Sequence, residues 1–190
     1  MKKDYHIVLA SNSPRRRELL AGLGLHFTVK VLEGIDESYP KETPINEVAI
    51  VISKKKASAY KDSLTDDELL ITADTIVVVD NDILGKPKDS DDARRILKLI
   101  SGRTHQVITG VCLLTNKSMK SFSVTTDVTF RRLADDEIDY YIENYKPFDK
   151  AGAYGIQEWI GYVGVTSITG SYFNVMGLPV QRIYTELCEM

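Results

Sequence analysis

The sequence predicts an α/β fold in which a mixed, twisted sheet carries helices on its flanks. Two observations predict it: strand-like apolar runs alternate with helical segments along the first half of the chain, and a long antiparallel pair of strands follows them. The 190 residues include 43% hydrophobic and 27% charged side chains, which is typical of a globular protein. We expect one domain over residues 1–190, without an internal repeat or a linker.

The sequence pattern of the first half of the chain predicts three strands and three helices. A buried strand at His6–Ala10 precedes a helix that Ser13 caps and Pro14 begins, and Gly22 or Gly24 ends that helix. The other elements predicted here are a strand at Phe27–Leu32, a helix from Thr43-Pro44 toward Tyr60, a central strand at Leu69–Asp80 with a turn at Asn81-Asp82, and a helix at Ser90–Ile100 closed by Gly102.

The second half of the chain is predicted to contain a long antiparallel pair, one further strand and two further helices. The paired strands are Val107–Thr115 and Ser121–Arg131, joined near Asn116-Lys117. The elements predicted after them are a helix at Asp135–Asn144, a strand at Tyr162–Ile168, a turn at Thr169-Gly170 and a closing helix that starts at Pro179.

Composition and charge exclude several classes of protein. The formal charge of −3 provides no basic field for long nucleic acid, so we expect no DNA or RNA partner. Cys112 and Cys188 have no nearby Cys or His at metal-ligand spacing, and we predict two buried free thiols. No apolar run has the length of a membrane span. We therefore expect a cytoplasmic protein without a membrane partner.

The turn between the first strand and the first helix predicts an anion site. In Ser11-Asn-Ser-Pro-Arg-Arg-Arg17, free amide groups and the positive end of the helix dipole meet three guanidinium groups. A solvated basic first turn is the alternative, and at least one of three successive arginines should face solvent. Lys54-Lys-Lys56 poses the same choice, because a charged run on a helix is commonly a solvated face. Only one or two of these lysines can point inward.

Asp74 is the most informative single residue, because it lies within the apolar strand segment Ile71–Val79. A buried carboxylate without a partner would be costly, so Asp74 must meet a cation, a metal ion or several hydrogen-bond donors. An arginine serving only a structural purpose is one alternative. At a functional site, Asp74 could bind a divalent ion or take a proton from water.

Two later segments offer further binding residues. Lys86 lies between Gly85 and Pro87 in a restricted turn, where an ordinary exposed lysine is the alternative. The segment from Asp149 to Gln157 is rich in small residues and ends in an amide, so its backbone could approach a ligand closely. The three histidines are isolated in the sequence, and we predict structural roles for them.

Six motifs in a fixed order resemble the Maf family. They are Leu9-Ala-Ser-x-Ser-Pro-Arg-Arg16, Ala73-Asp-Thr75, Gly85-Lys-Pro87, Leu99-Ile-Ser-Gly-Arg-Thr-His105, Asp149-Lys-Ala-Gly-Ala-Tyr-Gly-Ile-Gln157 and Gly177-Leu-Pro179. The resemblance spans nearly the whole chain. It implies an inosine triphosphatase-like fold with two lobes around a cleft, a homodimer, and hydrolysis of a nucleoside triphosphate to the monophosphate and pyrophosphate with a divalent metal, Mg²⁺ or Mn²⁺.

The resemblance also implies roles for single residues. Asp74 would be the catalytic base or a metal-linked carboxylate. Ser11 and Glu37 would bind substrate, with Asp36 as the adjacent alternative to Glu37. The residues that would hold the phosphates are Arg15, Arg16, Lys56 and Lys86. Such a set suits phosphoanhydride cleavage, which relies on positioning and on neutralising phosphate charge.

Three positions distinguish the branches of the family. The branch that looks specific for dTTP and UTP has Arg, Thr and Gln there, matched by Arg15, Thr75 and Gln157. A sister branch acting on 7-methyl-GTP has Trp, Gln and Glu, and this chain has none of them at those positions. The resemblance therefore implies a dTTP/UTP pyrophosphatase.

Three other functions remain open at the level of sequence. The chain could be a house-cleaning pyrophosphatase that acts mainly on modified nucleotides. It could also be a nucleotide-binding regulator of septum formation, which would not need Asp74 to act on water. Nucleic-acid binding through the arginine and lysine runs carries little weight at a net charge of −3.

Overall fold

The computed structural model describes residues 5–190 and contains a mixed sheet with helices around it. The strands are His6–Leu9 (β1), Phe27–Val29 (β2), Glu68–Val79 (β3), Asp82–Leu84 (β4), Thr104–Leu114 (β5), Met119–Phe130 (β6) and Val165–Thr169 (β7). The α-helices are Pro14–Ala21 (α1), Ile45–Ser58 (α2), Ser90–Ile100 (α3), Asp135–Tyr145 (α4), Trp159–Gly164 (α5), Tyr172–Val175 (α6) and Val180–Glu189 (α7). The predicted mixed α/β class is confirmed.

The strand order is β2-β1-β3-β5-β6-β7, with β4 paired to β3. β1 pairs with β2 and β3 in parallel, while the β3–β4 and β6–β7 pairs are antiparallel. The chain divides into two compact units. The first comprises the residues up to Asp74, Thr109–Val124 and Gly177–Met190, and the second comprises Thr75–Ile108 and Thr125–Met176.

The first unit packs α2 directly onto the sheet. One buried cluster joins side chains of β1, β3 and β5 to the C-terminal part of α2 and the residues after it: Val8, Leu70, Cys112, Leu114, Ala57 and Tyr60. Gly110 on β5 permits the close approach, because a Cβ there would lie 2.3–2.4 Å from backbone atoms of Ala49 and Ile50. The helix backbone therefore rests on the strand at this point.

The second unit has its own core between α3, α4 and its part of the sheet. Apolar side chains of both helices are buried there against strand residues such as Val77, Val128 and Phe130. His105 lies in this core, 1% exposed, and its Nε2 is 2.7 Å from the Tyr154 hydroxyl. The prediction of a structural role fits this placement.

Most predicted elements are confirmed, including Ser13 as the N-cap of α1 and Gly102, with positive φ, two residues after Ile100 ends α3. The predicted strand Phe27–Leu32 is too long, and β2 ends at Val29. The reason is a hydrogen bond to a residue that follows α2. The Leu32 amide donates to the Tyr60 hydroxyl at 2.8 Å, so this amide does not pair within the sheet.

Three other expectations are corrected. The predicted strand Tyr162–Ile168 begins as α5, and only Val165–Thr169 is strand, because Gly161 and Gly164 allow a helical turn to pack closely on Ile156 and Phe130. The turn after β3 lies at Asp80-Asn81, both with positive φ, so Asp82 starts β4 instead. Cys112 is buried as predicted, but Cys188 is exposed. It lies off the face of α7 that buries Ile183 and Leu187.

Candidate active site

The turn from β1 into α1 is organised by two serine side chains. Ser13 Oγ accepts the Arg16 N–H at 3.4 Å, and Ser11 Oγ accepts the Ser13 N–H at 3.2 Å. Ser11 is 7% exposed, whereas Arg17 faces solvent, so the expectation of at least one external arginine is confirmed. The first turn of α1 is thus a fixed set of amide groups at the positive end of a helix.

Arg16 ties this turn to the strand that carries Asp74. Its Nε donates to the Gly177 carbonyl oxygen at 2.8 Å, and its Nη1 donates to the Ala73 carbonyl oxygen at 2.7 Å. Burial lowers the pKa of Arg16, and the nearby Asp74 carboxylate opposes that shift. Arg16 thus fixes the peptide that precedes Asp74, in addition to supplying positive charge.

Asp74 and Glu37 meet at one lysine. Lys56 Nζ lies 2.7 Å from Asp74 Oδ1 and 3.0 Å from Glu37 Oε1. The Lys56 and Asp74 side chains are each 15% exposed, whereas the Glu37 side chain is 60% exposed. Of the partners weighed for Asp74 from sequence, the structure provides a cation, the ammonium group of Lys56. Lys54 is exposed, so the lysine run turns only part of its charge inward.

A buried hydrogen bond sets the register of α2 against β3. Thr72 Oγ1 donates to the Ser53 carbonyl oxygen at 2.7 Å, and both residues are fully buried. Thr72 and Asp74 are two residues apart on one face of the strand, and Ser53 and Lys56 are three apart on one face of the helix. The Thr72–Ser53 bond therefore places Lys56 opposite Asp74.

The segment that carries Glu37 is fastened to the same helix. Lys55 Nζ binds Asp36 Oδ2 at 3.0 Å and the Ser38 carbonyl oxygen at 2.6 Å. Hydrogen bonds from Ser38 and Lys55 hold the pKa of Asp36 well below its ordinary value. Asp36 therefore belongs to the anchor, whereas Glu37 reaches Lys56. The structure thus separates the two adjacent acids that sequence left as alternatives.

The remaining predicted residues lie in the second unit. Thr75 directly follows Asp74 on β3, and both are partly buried. The turn of Lys86 is linked to a later segment, because the Gly152 N–H donates to the Gly85 carbonyl oxygen at 3.1 Å. Gln157 is partly buried, and its Oε1 atom is buried without a hydrogen-bond partner among residues 5–190.

Several residues that shape the site were not predicted from the sequence. Thr72, Ser53 and Gly110 dock α2, and Tyr60 holds the segment before Glu37. A threonine inside the apolar strand was visible as a signal, since a buried hydroxyl needs a partner. The positions of Ser53 and Gly110 carried no comparable signal, because small residues are common in helices and strands.

The side-chain chemistry around Asp74 is compatible with a divalent cation held jointly with a substrate. Asp74 Oδ1 and Glu37 Oε1 each lie within 3.0 Å of Lys56 Nζ, and carboxylate oxygens are ligands that Mg²⁺ accepts. Among residues 5–190, no group of three or more His, Cys, Asp or Glu side chains converges in metal-binding geometry.

In the same part of the chain, none of the helices combines the length and apolar character needed to cross a bilayer.

Comparison with known proteins gives a family and several relatives. A family model described as Maf-like protein matches residues 6–190. A dTTP/UTP pyrophosphatase of Phocaeicola vulgatus is 61% identical over 183 residues, which cover 96% of this chain and 95% of the relative. A dTTP/UTP pyrophosphatase of Parabacteroides distasonis is 56% identical over 185 residues, covering 97% and 96%.

One solved structure, a HAM1 protein from Coxiella burnetii, is similar at 15% identity and a TM-score of 0.49, and covers 98% of this chain and 100% of that one. The sequence matches are much stronger, and they extend over nearly the whole chain. The family match and the high identities together show that this chain belongs to the Maf family.

Proposed function

We propose that this protein is a nucleoside triphosphate pyrophosphatase that hydrolyses dTTP and UTP to the nucleoside monophosphate and pyrophosphate. The observation that carries the proposal is the meeting of Lys56, Asp74 and Glu37, with Arg16 bound to the carbonyl that precedes Asp74. The names of relatives at 61% and 56% identity support the same reaction and the same substrates.

The arrangement suits cleavage of the bond between the α and β phosphates. The reaction needs charge neutralisation and an oriented water more than covalent assistance. We assign phosphate binding to Ser11, Arg15 and the first-turn amides of α1, with Lys56 and Lys86 contributing ammonium groups. Lys56 neutralises Asp74 in the structure. When phosphate oxygens draw Lys56 toward themselves, the Asp74 carboxylate becomes available to take a proton from the attacking water.

Asp74 and Glu37 are the residues that would hold a divalent cation, Mg²⁺ or Mn²⁺. Such an ion supplies positive charge to the phosphate oxygens and lowers the pKa of a bound water. Two carboxylates would suit this task, because oxygens of the substrate could supply further ligands.

Base selection is assigned to Arg15, Thr75 and Gln157, the three positions that match the pyrimidine branch. Gln157 offers a carbonyl oxygen and an amide N–H₂, and an imide edge presents the complementary donor and acceptor. On the grounds of family resemblance, we also propose that the protein is a homodimer and that it acts in the cytoplasm.

A panel of nucleotides tests the proposal. Purified protein with Mg²⁺ or Mn²⁺ is given UTP, dTTP, 7-methyl-GTP and modified pyrimidine triphosphates, and kcat/KM is measured by pyrophosphate release. We expect UTP and dTTP to exceed 7-methyl-GTP. A higher value for 7-methyl-GTP would contradict the branch, and a much higher value for a modified nucleotide would favour house cleaning. Tight UTP binding without turnover would indicate a regulator instead of an enzyme.

A further inference from the structure

A tight turn in the second unit ends beside a group of charged and phenolic side chains that the proposed reaction does not use. The turn comprises residues 155–158 and is closed by the Glu158 N–H, which donates to the Gly155 carbonyl oxygen at 3.0 Å. Gln157 is its third residue, and the buried Oε1 of Gln157 has no partner among residues 5–190. A buried carbonyl oxygen without a hydrogen bond is costly, so this atom suits a donor supplied by a ligand.

Glu158 is held on both of its carboxylate oxygens. The Tyr141 hydroxyl donates to Glu158 Oε2, and Lys150 Nζ lies 3.0 Å from Glu158 Oε1. The Tyr141 oxygen also accepts the Gly155 N–H at 3.0 Å. The carboxylate is therefore connected through one phenol to the backbone at the start of the turn. Lys150 is only 9% exposed and also reaches Asp149, at 2.8 Å.

Packing restricts the turn from two sides. A Cβ on Gly155 would lie 2.8 Å from Glu158 Cδ, so the carboxylate rests against the α-carbon of Gly155. A Cβ on Gly161 would lie 1.8 Å from the Ile156 carbonyl oxygen, so α5 abuts the turn on the other side. These two contacts leave little freedom to the peptide that carries Gln157.

The protonation of Tyr141 is suited to this arrangement. Burial raises the pKa of Tyr141, and the Glu158 carboxylate beside it raises the pKa further. The hydroxyl therefore stays protonated at neutral pH and keeps donating to Glu158. Burying a lysine and a glutamate together gives little net stability, so a role in conformational specificity is a better account of the pair.

We propose that Glu158 is a positioning residue for base recognition: held by Tyr141 and Lys150, it fixes the turn so that Gln157 Oε1 accepts the imide N–H of uracil or thymine. This proposal rests on the proposed function, since it assumes a pyrimidine triphosphate as substrate. It adds three residues, Glu158, Tyr141 and Lys150, to those that determine which base is accepted. None of the three touches the reacting phosphates in this account.

The test compares UTP with CTP, whose ring N3 is an acceptor and cannot donate to Gln157 Oε1. The variants are Glu158→Gln, which keeps the shape and removes the charge, and Tyr141→Phe, which removes only the hydroxyl. We expect each to lower the ratio of kcat/KM for UTP to that for CTP by about tenfold, the effect of one buried hydrogen bond. CTP hydrolysis should stay within about twofold of wild type.

Glu143→Gln is the matched control, because Glu143 is exposed on the same helix as Tyr141. It should leave both substrates unaffected. Thermal unfolding of each variant identifies which ones fold, and either Glu158→Gln or Tyr141→Phe suffices. A variant that loses UTP and CTP hydrolysis equally, or that keeps the wild-type ratio, would overturn the positioning role. A wild-type protein that releases no pyrophosphate from any triphosphate would instead refute the proposed function.

Discussion

The packing of α2 on β5 at Gly110 gives the sharpest test of how the site is positioned. Replacing Gly110 by alanine adds one methyl group at the point where helix and strand backbones touch. That carbon would lie 2.3 Å from the Ala49 carbonyl carbon and 2.4 Å from the Ile50 nitrogen. Both neighbours are backbone atoms of a helix, so no side chain can rotate away to make room.

The size of the displacement follows from these distances. Ordinary contact begins at 3.4 Å, so the difference from 2.3 Å requires α2 to retreat by about 1 Å. Lys56 lies two turns further along the same helix, and its 2.7 Å contact with Asp74 would lengthen beyond ordinary hydrogen-bond distance. Overpacking of this kind costs about 1–3 kcal/mol of stability. A misplacement of about 1 Å lowers activity by up to about 100-fold.

The assay pairs pyrophosphate release from UTP with urea unfolding for Gly110→Ala. Gly22→Ala is the control, because Gly22 has φ −60° at the end of α1 and a Cβ there would meet nothing nearer than 3.3 Å. The control should change stability by less than about 0.5 kcal/mol. If Gly110→Ala kept kcat/KM within about twofold of wild type and the wild-type urea midpoint, the docking of α2 would not position the site.

Three further predictions concern single side chains. Arg16→Lys should lower kcat for UTP at least about tenfold with a smaller change in KM, because a lysine cannot donate to two carbonyls from fixed positions, whereas the exposed Arg17→Lys should stay near wild type in the same assay. Thr72→Val should cost about 1 kcal/mol in urea unfolding, since it removes the buried bond to Ser53, and an unchanged midpoint would contradict that bond. Burial lowers the pKa of His105 from 6.5 to about 4. Between these two pH values the unfolded chain binds a proton at His105 that the folded protein does not bind. The free energy of unfolding therefore falls by up to about 3 kcal/mol as the pH drops from 6.5 to about 4. Chemical denaturation at several pH values should show that His105→Gln loses this part of the pH dependence, and an unchanged pH dependence would refute the assignment.

Local sequence rules located most of the fold. Ser13-Pro14 marks the start of α1, and the apolar segment around Asp74 marks the central strand, because caps and periodic burial act over a few residues. The rules failed where distant contacts decide the structure. Tyr162 reads as strand-forming, yet Gly161 and Gly164 let that segment pack as a helix against Ile156 and Phe130.

The site shows the same division. Asp74 could be identified from the sequence because a charge in an apolar strand requires a partner, and the turn before α1 could be identified from its amides and arginines. The cation that contacts Asp74 could not be identified from the sequence, because its identity depends on the register between α2 and β3. That register is set by Thr72 and Ser53, whose bond joins residues 19 positions apart.

The reaction itself provides the most direct test of the account. Wild-type protein and Asp74→Asn are incubated with UTP and Mg²⁺, and products are resolved by anion exchange while UTP binding is measured by calorimetry. We expect UMP and pyrophosphate in equal amounts from wild type, and no detectable products from Asp74→Asn although it still binds UTP. Release of UDP and inorganic phosphate by wild type, or turnover by Asp74→Asn at a rate near that of wild type, would contradict the central claim.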